Sequence, residues 1–171
     1  MATQSLGWNR PIEWTNVRKV LEEFGQEFVR LYREKSATFG VNTSEASLSQ
    51  SVRYEVQSGD DGRWIAVDIS LLDYWKYVEY GRRPGKWPPL SAIERWIRIK
   101  PIVPRAYGGR RVPTTKSLAF LIARKIGTEG IEPRPMFGAT LQNLLKSFDK
   151  ALSSAVAQDV NRHIDIIIKE Y

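Results

Sequence analysis

Leu48-Ser-Gln-Ser-Val-Arg-Tyr-Glu-Val-Gln-Ser-Gly-Asp-Asp-Gly-Arg-Trp-Ile-Ala-Val-Asp-Ile-Ser70 is the stretch that decides the fold class of this chain. Leu48, Val52, Tyr54 and Val56 read as one strand, and Trp64 to Ile69 as its partner. Between them, Ser58-Gly-Asp-Asp-Gly62 supplies residue types that accept a positive φ at low steric cost. An antiparallel hairpin is therefore expected. Pattern alone leaves open which face of the second strand is buried. Trp64, Ala66 and Asp68 alternate with Ile65, Val67 and Ile69, so both faces carry bulky side chains.

The sequence on either side of the hairpin has helical period. Val17, Val20, Leu21, Phe24, Phe28, Leu31 and Tyr32 recur at steps of three and four, with Thr15 or Asn16 as N-cap. Gly25 is a mid-helix weak point that suits close packing. Beyond the hairpin, Leu71 to Tyr80 reads as a short helix closed by Gly81. Eight of the nine prolines fall between Pro84 and Pro135, which stiffens that segment at many points. Within it, helices are expected from about Ser91 to Ile99 and from Ser117 to Ile126. Thr114 or Thr115 would cap the second, and Gly127 and Gly130 would end it. Ile102 to Val112 reads as an irregular loop. After Pro135, Leu141, Leu144, Leu145, Phe148, Leu152, Val156 and Val160 keep a helical period, and we read the helix on through Ile168.

The fold class is α+β: a small antiparallel β-sheet packed against helices, a proline-rich helical and loop insertion, and a long C-terminal helix. Residues 1–14 form an N-terminal arm whose Trp8 and Trp14 are expected to pack on the body or on a neighbouring chain. Residues 15–171 form one domain with its insertion at about 82–132.

Charge is unevenly placed. Gly81 to Arg134 holds 13 Lys/Arg against 3 acidic residues, a local +10, while the rest of the chain sums to −3. Such a local excess attracts an anionic partner, nucleic acid or an acidic protein face; the plain alternative is a solvated surface. Cysteine is absent, which excludes disulfides and thiolate metal sites. The longest apolar runs, such as Ile164 to Ile168 with Asp165 inside, fall far short of the ~20 residues of a membrane span, and no secretory signal is read at the start.

Catalytic readings are poor. His163 is the single histidine and has no nucleophile elbow near it. Asp68 and Glu79 with Lys76 or Lys86 would be needed for a metal-dependent nuclease, and Gly108-Gly109 lacks the Lys-Ser/Thr of a phosphate loop. No enzyme, cofactor or metal is expected. Binding readings fare better. Trp64, Tyr74, Trp75, Tyr77, Tyr80, Trp87 and Trp96 lie among basic residues, a mixture found at protein interfaces and on single-strand platforms. Trp75 and Trp87 are the expected surface anchors.

Two motifs carry a family resemblance. Tyr74-x-x-Tyr77-Val-Glu79-Tyr80-Gly81, followed by Pro133-x-Pro135-Met-Phe137-x-Ala-x-Leu141, resembles the head–tail joining (neck, or tail-completion) proteins of tailed bacteriophages. Leu48, Ser51 and Val52 are similar to the family's first-strand step, and Gly85 to Gly130 to the insertion of its longer members. Three positions depart: no Gly precedes Leu48, Arg82 stands where Thr is common, and Gly138 lacks a following proline pattern.

The resemblance implies a virion structural protein, assembled in the host cytoplasm into a homo-oligomeric ring of six or twelve copies. That ring would sit between portal or adaptor and tail proteins, with genomic DNA passing through and no membrane involved. It further implies an assembly interface at Tyr77, Glu79, Tyr80, Gly81, Trp87, Pro133, Pro135 and Phe137. A strongly positive lumen would hold sliding DNA by phosphate contacts. Most of the basic segment is therefore expected to face an acidic neighbouring protein, with Arg105, Arg110 and Arg111 nearest DNA. The alternative function is nucleic-acid binding through the basic, aromatic-rich surface.

Overall fold

The computed structural model describes residues 10–40, 48–99, 102 and 111–169. In chain order it holds α1 (Thr15–Thr38), α2 (Leu48–Ser51), β1 (Arg53–Ser58), β2 (Ile65–Ser70), α3 (Trp75–Glu79), α4 (Leu90–Ile99), α5 (Thr115–Glu129) and α6 (Phe137–Lys169). The class is α+β, with a long C-terminal helix as expected from its period. The chain divides into two compact units, both discontinuous in sequence: residues 1–32, 52–70 and 139–171 form the first, residues 33–51 and 71–138 the second.

In the first unit the hairpin pairs Tyr54 with Ile69, Val56 with Val67 and Ser58 with Ile65. This register settles the open question of faces. Ile65, Val67 and Ile69 share a side with half-buried Tyr54 and Val56, while Asp68 lies opposite Glu55 on the exposed side. Gly62, at φ 66°, closes the loop, and its carbonyl accepts the Trp14 indole N–H at 2.8 Å. Tyr54 packs against Gly25 of α1, so closely that a Cβ on residue 25 would strike its ring. The helical glycine thus lets strand and helix meet. Phe24 of α1 meets Phe148 of α6 edge to face at 5.4 Å, and Val17, Phe28 and Leu144 are buried.

The expected Thr15 or Asn16 cap on α1 is replaced by a distant group. Asp159 of α6 is buried, and its carboxylate accepts the Val17 N–H at 2.9 Å, the Asn16 N–H and the Asn16 side-chain amide. Arg162 donates to the same carboxylate at 3.2 Å. Aspartate is a strong acceptor for the orphan amides of a first turn, and here the fold brings it from the last third of the chain.

In the second unit α4 packs on α5. Ala119, Ala123 and Gly127 form a buried small-residue stripe along α5. Three boundaries differ from the sequence reading. Leu48 to Ser51 is a helical turn rather than the start of β1; the four-residue step from Leu48 to Val52 buries both side chains as well in a turn as in a strand. The short helix before Gly81 spans only Trp75–Glu79. Gly127 does not end α5, which runs to Glu129 and stops at Gly130. Gly127 is there for the Trp87 indole, which occupies the space where its Cβ would be. Thr114 caps α5 as expected, accepting the Ser117 N–H.

Candidate partner-binding site

The second unit brings the two ends of the motif-bearing segment together. Residues 82 and 131 form an antiparallel bridge, with both backbone hydrogen bonds at 2.8 Å. Gly81 at φ 67° and Gly130 at φ 81° flank it, and a side chain on either would strike the opposite backbone. The 82–132 segment is thus pinned at its base. The Arg134 N–H donates to the Val78 carbonyl at 2.8 Å and extends the closure toward α6.

Glu79 locks the closure. It ends α3, is buried, and its Oε2 accepts the Met136 and Phe137 N–H groups while Oε1 accepts that of Gly138, all at 2.8 Å. These amides sit at the first turn of α6, where backbone donors lack helical partners and the helix dipole favours a negative charge. A carboxylate taking three such bonds is a structural clasp. Pro133 and Pro135 bracket the approach to it, both exposed. Glu79 has both oxygens committed to backbone, and Asp68, weighed with it as a metal ligand, is exposed opposite Glu55. Among the described residues no group of three His, Cys, Asp or Glu is placed to hold a metal ion.

Around the clasp the aromatics divide. Tyr80 is 73% exposed and Tyr77 53%, so the motif presents two tyrosines outward and its glutamate inward. Trp75 is not the expected surface anchor: it is half-buried, stacked at a tilt on Phe137 with ring centroids 5.0 Å apart, and Tyr80 lies 6.2 Å beyond. Trp87 is 44% exposed, held edge to face by Phe120 at 5.5 Å. Phe137 is half-buried. Arg111 is exposed, whereas Arg105, Arg110 and most of the expected 102–112 loop lie outside the described residues, as does Trp8.

Sequence reading missed the cavity beside the clasp. A pocket of about 500 Å³ is lined by Tyr74, Tyr77, Ile93, Trp96, Ile122 and Ile126, with Arg82 and Arg134 among its walls. Burial pushes the Tyr74 phenol above its ordinary value, opposed by a hydrogen bond with the Leu48 backbone. The signal was present as the spacings Ile93–Trp96 on α4 and Ile122–Ile126 on α5, which read as core stripes. That these stripes leave a gap between them is a property of how α4 and α5 cross.

No family model, curated protein or solved structure matches this chain. No helix of the described residues is long and apolar enough to cross a membrane.

Proposed function

We propose that the protein is a non-enzymatic, ring-forming connector of a tailed-phage neck, joining the portal side of the head to the tail and letting DNA pass. The observation that carries the reading is the Glu79 clasp. It ties the two halves of the motif together, with Glu79 turned inward and Tyr77 and Tyr80 turned outward. Glycines at positive φ, bracketing prolines and exposed aromatics build a contact surface that keeps its shape, as repeated assembly contacts require. The chemistry of the clasp is hydrogen bonding to backbone.

Native mass spectrometry tests the proposal. A discrete ring of six or twelve copies, alone or recruited by a portal-side ring, is the expected result. A chain that stays monomeric with that ring present overturns it. The nucleic-acid alternative draws on the exposed Arg83, Lys86, Arg95, Arg98, Arg111 and Lys116. It calls for a monomer whose affinity for short DNA falls steeply with salt, by about one power of concentration per phosphate neutralised.

A further inference from the structure

We infer that the apolar pocket of the second unit is a docking site for an acidic segment of a partner protein, which inserts one bulky apolar side chain. The inference deepens the connector reading and rests on it for one point, that the partner is a protein. At about 500 Å³ the cavity lies inside the ~300–1,000 Å³ range of pockets that hold a ligand group. Ile93 and Trp96 of α4, Ile122 and Ile126 of α5, and Tyr77 of α3 supply walls that are half-buried or exposed. Their apolar surface faces the cavity instead of closing on itself.

Charge selects the occupant. Arg82 and Arg134 stand in the wall, and among the described residues neither has a carboxylate within ion-pair distance. Among the described residues the Arg82 guanidinium donates one hydrogen bond, to the Lys86 carbonyl at 2.6 Å, which leaves donors available. Exposed Arg83, Arg95 and Arg98 extend the same sign over the surrounding segment, whose sum is +10. Guanidinium groups beside an apolar pocket recognise carboxylates in paired geometry, while the pocket takes a desolvated anchor. A nucleobase fits less well. Beyond Tyr74 the rest of the lining is Leu, Val, Ile, Ala, Pro and Gly, so the two guanidiniums and the Tyr and Trp polar atoms are all it offers a base edge, and burying unpaired polar edges costs binding.

The test uses the full chain and a short, capped, fluorescein-labelled peptide of Glu and Asp with a central Leu-Phe pair, read by fluorescence anisotropy. Saturable binding is expected, weakened at least about tenfold when the peptide's Phe becomes Ala. Ala92→Trp, at an exposed position on the pocket wall, should fill the cavity and abolish binding. Arg134→Gln, also exposed, should weaken binding about three- to tenfold and flatten its salt dependence. Circular dichroism and melting curves of both variants establish that they fold. The inference is overturned by absence of saturable binding, by binding that Ala92→Trp leaves unchanged, or by equal binding of a peptide with Lys in place of the acids. Preferential binding of a short single-stranded oligonucleotide, or self-association that Ala92→Trp dissolves, assigns the pocket to another occupant and overturns it too. The two readings fail separately. A ring that forms while the peptide does not bind sinks the pocket, and a monomer that binds the peptide sinks the connector.

Discussion

Replacing Glu79 by alanine removes the acceptor that ties α3 to the first turn of α6. The Phe137 and Gly138 N–H groups each lose a charged acceptor at 2.8 Å, while the Met136 N–H keeps the Arg134 carbonyl at the same distance. A hydrogen bond to a charged group is worth ~1.5–3 kcal/mol net, so two of them give about 3–6 kcal/mol. Against a total stability of ~5–15 kcal/mol, that is a large fraction. For a chain of this length it lowers Tm by on the order of 10 °C. Glu79→Gln keeps one carbonyl acceptor and turns an N–H₂ toward a backbone donor, so about half the loss is expected.

Urea denaturation of wild type and both variants measures the global effect. Because the chain has two units, unfolding need not be a single transition. Amide hydrogen exchange at Met136, Phe137 and Gly138 therefore supplies the local reading. Faster exchange there in Glu79→Ala, with intermediate values in Glu79→Gln, is the expected order. A stability loss under about 1 kcal/mol together with unchanged exchange at those amides would refute the clasp.

Three further outcomes are expected. Gly25→Ala, which in an open helix gains ~0.5–1 kcal/mol, should instead lose ~1–3 kcal/mol, because the new methyl meets the Tyr54 ring; adding Tyr54→Ala should restore the sign, and a double-mutant cycle by denaturation checks it. Asp159→Asn should lose about 2–4 kcal/mol, since the buried acceptor of the α1 first turn gives up its charge and its Arg162 bond; amide exchange at Asn16 and Val17 locates the effect, and unchanged exchange there contradicts it. Asp68→Lys should stabilise the first unit by ~0.2–1 kcal/mol, replacing a like-charge pair across from Glu55 with an opposite one; the gain should shrink in high salt, and a loss at low salt would show that the pair does not interact as its register implies.

How far the chain could be read from its letters follows the range of each interaction. The hairpin loop, the α5 cap at Thr114 and the stop at Gly81 were legible because a turn, a cap and a left-handed glycine are decided within four or five residues. Helical period placed α1, α4, α5 and α6 for the same reason. Leu48 was misread because four-residue spacing of apolar groups fits a single helical turn and a strand edge alike. Trp75 looked like an anchor because composition cannot say that Phe137, 62 positions later, covers its ring.

By itself, then, the sequence settled the α+β class, the places of the helices and hairpin, the basic segment and the motif with Glu79 at its centre. Tertiary structure alone decided what that motif does. It turned Glu79 onto the amides of Met136 to Gly138, set Asp159 against Asn16 and Val17, and left a gap between the apolar stripes of α4 and α5. Each of these joins groups tens of residues apart or more. Their energy depends on distances near 2.8 Å and on exclusion of water, and neither exists until the chain has folded.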